Sequence, residues 1–142
     1  MSMNWIRKTL FTLHVIVGIG GLAGGYGCLS DIYNPLGAPL SLLENSPFTS
    51  YFFPGLFLLF IIGLGNIVCS ILVLRYPIVG MMGSLALGIA LSAWIVIQCI
   101  ILQDIVALHI IFLVVGLVQT GLSLWQLIQS GDLAYLLREL IN

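Results

Sequence analysis

Four long apolar runs, none broken by a charged residue, constrain this chain more than any other feature. They cover residues 10–28, 52–74, 78–102 and 105–127. A helix needs about 20 apolar residues to cross the hydrocarbon core of a bilayer at 1.5 Å rise per residue. Each run meets that length. In lipid every backbone amide must be paired within its own segment, so the runs are expected to be helices. The expected fold is all-α: a four-transmembrane-helix bundle in one membrane domain spanning residues 1–142.

Composition excludes the alternatives. Of 142 residues 61% are hydrophobic and 6% are charged, whereas soluble domains carry roughly 25% charged residues. Mean hydropathy is +1.20. Nine charged side chains cannot solvate a globule of this size, and disorder needs the opposite composition. With net charge −1 and no basic cluster, nucleic acid is not an expected partner.

The few charges orient the bundle. Arg7 and Lys8 precede the first run, Arg75 follows the second and Arg138 follows the fourth. Both termini inside puts all four on the cytoplasmic side, as the positive-inside rule requires. Asp31, Glu44 and Asp104 then fall outside. The expected location is the plasma (inner) membrane, multi-pass, with cytoplasmic N- and C-termini.

Connections between the runs are short, except one. Arg75-Tyr76-Pro77 and Gln103-Asp104 force antiparallel neighbours. The outer loop, residues 29–51, holds Pro35, Pro39 and Pro47 and several apolar residues. It is expected to fold back on the rim, with a short helix near 40–44. Pro54-Gly55 is expected to open the second helix. The inner tail, 128–142, has apolar residues at helical spacing after Asp132, the pattern of a short amphipathic helix on the inner leaflet.

Small residues mark candidate helix-packing faces. Gly20 and Gly24, and Gly21 and Gly25, form two GxxxG pairs; Gly80, Ser84, Gly88 and Ser92 form a strip at i, i+4. Lipid supplies no hydrophobic drive between helices, so close approach through such strips replaces it. Helix 1 is expected to be central, and the strips of helices 1 and 3 are expected to meet face to face. Cys28, Cys69 and Cys99 show no CxxC spacing, so no zinc or dithiol site is expected. A Cys28–Cys99 disulfide stays open beside plain apolar packing.

Depth sorts the polar residues within the runs into two groups. His14, Asn66 and Gln119 fall roughly 20 Å from the outer surface by helix rise, with Ser84 near them. They form a candidate inner polar layer, whose ordinary role is to fix helix register by hydrogen bonds. Trp94, Gln98 and His109 lie near the outer surface, with Tyr26, Asp31, Gln103 and Asp104 at or above that height. Tyr26, Asp31, Trp94, Gln98, Asp104 and His109 are the candidate ligand pocket, against an ordinary reading of interfacial solvation. His14 and His109 differ in depth by roughly 15 Å, too far to share one haem iron. No GxSxG, HExxH or paired carboxylate is present, so no catalytic residue is assigned and enzymatic activity is not favoured. A buried carboxylate, the usual proton relay of a coupled transporter, is also missing from the runs.

Gly20-Gly21, Asp31, Pro35, Gly37, Ser46-Pro47-Phe48, Pro54-Gly55 and Trp94-Ile95-Val96-Ile97-Gln98 resemble the pattern of an uncharacterised family of small bacterial four-helix integral membrane proteins. The resemblance covers about residues 13–98. It implies a bacterial plasma membrane and an outer structure shared by the Ser46-Pro47-Phe48 loop with Trp94 and Gln98. It implies no activity.

Three functions are weighed in this order. The first is a non-enzymatic accessory or interaction subunit of a membrane complex, whose partner is another membrane protein or a second copy. The second is a small oligomeric transporter or channel. The third is an intramembrane enzyme, or a lipid- or quinone-binding protein with its pocket near the outer face. No cofactor is assigned beyond a bound lipid or quinone.

Overall fold

The computed structural model describes residues 4–141. Helix α1 is Asn4–Ser30, α2 is Phe52–Arg75, α3 is Pro77–Leu102, α4 is Ala107–Gln129 and α5 is Asp132–Ile141. The first four are long and apolar enough to cross a membrane. Helix α1 starts earlier than expected and carries Arg7 and Lys8 in its first turns. No strand occurs among the described residues.

The polypeptide runs up and down, so all four transmembrane helices share two ends, a loop end and a tail end. At the tail end Arg7 closes α2: its Nε donates to Val73 O at 2.9 Å and its Nη2 donates to Leu74 O. These are carbonyls that the end of α2 leaves without helical partners. Tyr76 alone separates α2 from α3, and Pro77 occupies the first turn of α3, where no N–H is needed. Helix α5 begins at Asp132, as expected, and Ser130 Oγ donates to the Asp132 carboxylate at 2.6 Å. The last residue of the expected tail, Asn142, lies outside the described residues.

The loop end is folded back on the bundle. Asp31 Oδ1 accepts the amides of Tyr33 and Asn34. Tyr51 N donates to Ile32 O at 2.8 Å, pinning the two ends of the loop together. Its hydroxyl donates to Pro39 O at 3.1 Å. The expected short helix is a 3-10 turn, Leu40–Leu43, preceded by another at Pro35–Gly37. Helix α2 starts at Phe52, as the second run expects, with Pro54 in its first turn.

Two features depart from expectation. Phe57–Leu64, within α2, is π-helical. Nothing in the apolar pattern distinguishes its wider turns from an α-helix, and such segments recur at functional sites. The second departure concerns packing partners. The α1 strip meets α2: a Cβ at Gly21 would stand 2.5 Å from Gly63 N, and one at Gly25 would stand 2.6 Å from Leu59 N. The α3 strip meets its sequence neighbours instead of α1. A Cβ at Gly80 would stand 2.5 Å from Val73 N on α2, and one at Gly88 would stand 2.8 Å from Thr120 N on α4. Gly21 and Gly25 of α1 therefore serve α2, Gly80 and Gly88 of α3 serve α2 and α4, and Ser84 of the α3 strip faces His14 rather than the α1 glycines. The two short links make α2–α3 and α3–α4 neighbours.

Buried apolar side chains form two clusters along the bundle. Ile6, Leu10, Cys69, Val73, Met81 and Leu127 fill the tail end, and Val17, Ile62, Leu91 and Ile95 lie toward the loop end. The residues between them in sequence, at His14, Asn66 and Ser84, form a polar layer sandwiched by the two.

Candidate functional site

The inner layer assembles all four residues expected of it, one from each transmembrane helix. His14, Asn66, Ser84 and Gln119 are fully buried. Asn66 Nδ2 donates to Ile62 O at 2.8 Å, which leaves its Oδ1 facing His14 as an acceptor. His14 Nδ1 lies 2.6 Å from that oxygen and so carries a proton. His14 Nε2 lies 2.8 Å from Ser84 Oγ. Gln119 Nε2 donates to Asn66 Oδ1 at 3.2 Å.

Sequence reasoning missed two members. Ser123 Oγ lies 2.7 Å from Ser84 Oγ and 2.6 Å from Gln119 O. Cys69 Sγ donates to Gly80 O at 3.5 Å and lies 3.6 Å from His14 Nε2. Both carry a signal. Ser123 stands four residues after Gln119 and Cys69 three after Asn66, so each shares a helix face with a residue already singled out. The layer links all four transmembrane helices through side-chain hydrogen bonds, with Gln119 Oε1 left without a donor, and its geometry suits holding them in register.

The loop-end group divides. Trp94, Gln98 and His109 line a cavity of about 260 Å³. Its walls are Val17, Leu58, Ile62, Leu91, Ile95 and Phe112. Gly20, Gly21 and Gly24 also line it. Gly21 thus serves both the α2 contact and the cavity wall. Gly20 faces Phe112 of α4, where a Cβ would stand 3.2 Å from its ring, and Gly24 meets only Leu58 at 3.6 Å. The cavity exists because α1 offers backbone where neighbouring helices offer large side chains. Leu58 and Ile62 come from the π-helical stretch of α2.

Three expected pocket residues are elsewhere. Tyr26 is 73% exposed. Asp31 spends its carboxylate on the turn that starts the loop. Asp104 is exposed in the α3–α4 link, beyond Gln103, whose left-handed backbone (φ 50°) ends α3. Their heights suit the pocket, but their directions do not. Gln103 is exposed as well.

The lining is chemically one-sided. His109 Nδ1 accepts Val106 N–H at 3.3 Å, so its proton sits on Nε2. Trp94 is 7% exposed, stacks on Phe57 with ring centres 4.5 Å apart, and keeps its Nε1–H buried without a partner. The Gln98 side chain adds an amide. Among the described residues, no carboxylate, lysine or arginine lines the space. It offers N–H donors over apolar walls, which suits a neutral acceptor such as a carbonyl oxygen.

A second space of about 90 Å³ lies beneath the loop, lined by Cys28, Leu43, Phe48, Tyr51 and Pro54 with Trp94 and Gln98 again. Phe48 of the Ser46-Pro47-Phe48 segment thus shares a space with Trp94 and Gln98. Cys28 and Cys99 are both free thiols. No group of three or more His, Cys, Asp or Glu that could hold a metal occurs among the described residues. Compared with protein-family models, with curated proteins and with solved structures, the chain matches none.

Proposed function

We propose that this chain is a small non-enzymatic integral membrane protein that holds a hydrophobic, carbonyl-bearing molecule, a quinone or an acyl lipid, at the loop end of its bundle. One observation carries the proposal: Trp94, which lines an apolar cavity, keeps its Nε1–H buried without a partner. A buried donor left unpaired costs about 1–3 kcal/mol. A carbonyl oxygen brought in by a ligand removes that cost, and His109 Nε2–H and the Gln98 amide stand in the same lining. The volume lies below the roughly 300–1,000 Å³ of whole drug-sized sites. It fits one ring or a stretch of acyl chain, with the remainder of the molecule left in the bilayer.

In this proposal the loop end faces outward and the tail end lies at the cytoplasm, supported by Arg7, Lys8, Arg75 and Arg138. The bacterial plasma membrane is the proposed location, on the family resemblance. The protein serves as the ligand-holding accessory subunit of a larger membrane assembly, with lipid-facing helices as its contact surface.

Gentle purification from native membranes, with mass spectrometry of retained small molecules and proteins, tests this. The expected result is a quinone or an acyl lipid held near one per chain. Trp94→Phe, which keeps an aromatic ring but removes the donor, should lower its retention about tenfold, the size of one net hydrogen bond. Co-purification of a larger membrane protein supports the accessory role. Retention of bulk lipid only, equal in the wild type and Trp94→Phe, rejects the binding site.

A further inference from the structure

The inner layer has an imbalance that the cavity does not explain: it lacks one hydrogen. Four short bridges run through it. They are His14 Nδ1–Asn66 Oδ1 (2.6 Å), His14 Nε2–Ser84 Oγ (2.8 Å), Ser84 Oγ–Ser123 Oγ (2.7 Å) and Ser123 Oγ–Gln119 O (2.6 Å). Each needs its own hydrogen. A neutral imidazole supplies one and the two hydroxyls supply one each, which leaves one bridge as two lone pairs facing each other. Moving the ring proton to Nε2 does not help, because the Asn66 bridge then loses its hydrogen. Turning the Asn66 amide sets its oxygen against Ile62 O. The Cys69 thiol has its own acceptor in Gly80 O, and redirecting it to His14 leaves the Ser84 bridge still empty.

Gln119 adds no hydrogen to these bridges: its amide donates to Asn66 Oδ1 at 3.2 Å, and its Oε1 is buried without a donor.

We propose that this layer is a proton-binding site, with His14 as the base. One added proton completes it. His14 Nε2–H then donates to Ser84, Ser84 to Ser123, and Ser123 to Gln119 O, while Nδ1–H stays on Asn66. No bond to carbon forms or breaks, and only the two hydroxyls turn. A cation at this depth is costly, and here the cost is offset because both ring N–H groups meet oxygen acceptors. The groups facing His14 are Asn66 and Cys69 from α2, Ser84 from α3, and Gln119 and Ser123 from α4. Cys69 is the one other titratable group among them, and none is charged. The site does not depend on the cavity having a ligand.

The test is a pH titration of the ¹⁵N-histidine-labelled protein in lipid nanodiscs, with His109→Gln used to assign the two rings. As the pH is lowered from about 8 to about 5, His14 is expected to pass from the Nδ1–H form to the doubly protonated form. Ser123→Ala removes two of the four bridges and balances the neutral layer, so its midpoint should fall by about one pH unit, a tenfold loss of proton affinity. Ser123→Thr keeps the hydroxyl and should restore the midpoint. A His14 ring that stays singly protonated across this range overturns the proposal. So does a midpoint that Ser123→Ala leaves unmoved.

Discussion

The two polar regions of this bundle sit on the same helices and behave in opposite ways. The inner layer draws one side chain or more from each of the four transmembrane helices and bonds them to one another, leaving Gln119 Oε1 without a donor. The loop-end group leaves a cavity and an indole N–H with no partner. The difference begins with side-chain size on α1. At His14 that helix fills the bundle centre with a ring that bonds in two directions. Two turns later, at Gly20, Gly21 and Gly24, it offers backbone only. In the bilayer, where packing and hydrogen bonds replace the hydrophobic drive, the first arrangement makes a fastener and the second makes room.

Substitutions can break this contrast, and the largest effect is expected where backbones touch. Gly21→Ala drives a Cβ to 2.5 Å from Gly63 N and 2.8 Å from Gly63 Cα, atoms that cannot rotate away. It should cost about 3 kcal/mol, the upper end for overpacking, in equilibrium unfolding in mixed micelles. Gly121→Ala, with nothing within 4 Å of the new Cβ, should instead gain up to about 1 kcal/mol from helix propensity. Equal effects at the two glycines would remove close α1–α2 contact from the account.

A smaller pair separates the two polar regions. Asn66→Leu strips the acceptor from His14 Nδ1 and Gln119 Nε2 together and should destabilise by about 2 kcal/mol, within the range for stranded buried donors. Trp94→Phe removes a donor that bonds to nothing, so lost ring contact is offset by relief of the unpaired N–H, and the net change should lie within about 1 kcal/mol of zero. If the Trp94 substitution proves as costly as the Asn66 one, the indole N–H has a partner and the cavity loses its argument. Smallest of all, Tyr51→Phe removes one bond to Pro39 O at the rim. It should cost about 0.5–1 kcal/mol in the same unfolding measurement.

Much of this architecture is legible in the amino-acid sequence, and the reasons are physical. Helix rise converts residue number into depth, so arithmetic alone assembles the inner layer from His14, Asn66, Ser84 and Gln119. Depth says nothing of direction around the helix axis. Tyr26, Asp31 and Asp104 stand at or above the pocket's height, yet Tyr26 and Asp104 are exposed and Asp31 is tied into the loop's own turn. Small-residue strips announce close approach without naming the partner. The α3 strip, expected against α1, serves α2 and α4 for that reason. The π-helical stretch Phe57–Leu64 has no evident sequence mark. It supplies Leu58 and Ile62 to the cavity, and no pattern in the chain singles those two residues out.

The central claim, that the loop-end cavity receives a carbonyl-bearing apolar molecule, is tested most directly through Trp94 itself. Trp5 and Trp125 can be replaced by phenylalanine, leaving Trp94 as the single tryptophan fluorophore. Titrating this protein in nanodiscs with a short-chain quinone should give saturable quenching at one quinone per chain, and Gln98→Leu should weaken it. Quenching that rises without saturation, as simple partition into lipid would give, and that Gln98→Leu leaves unchanged would contradict it.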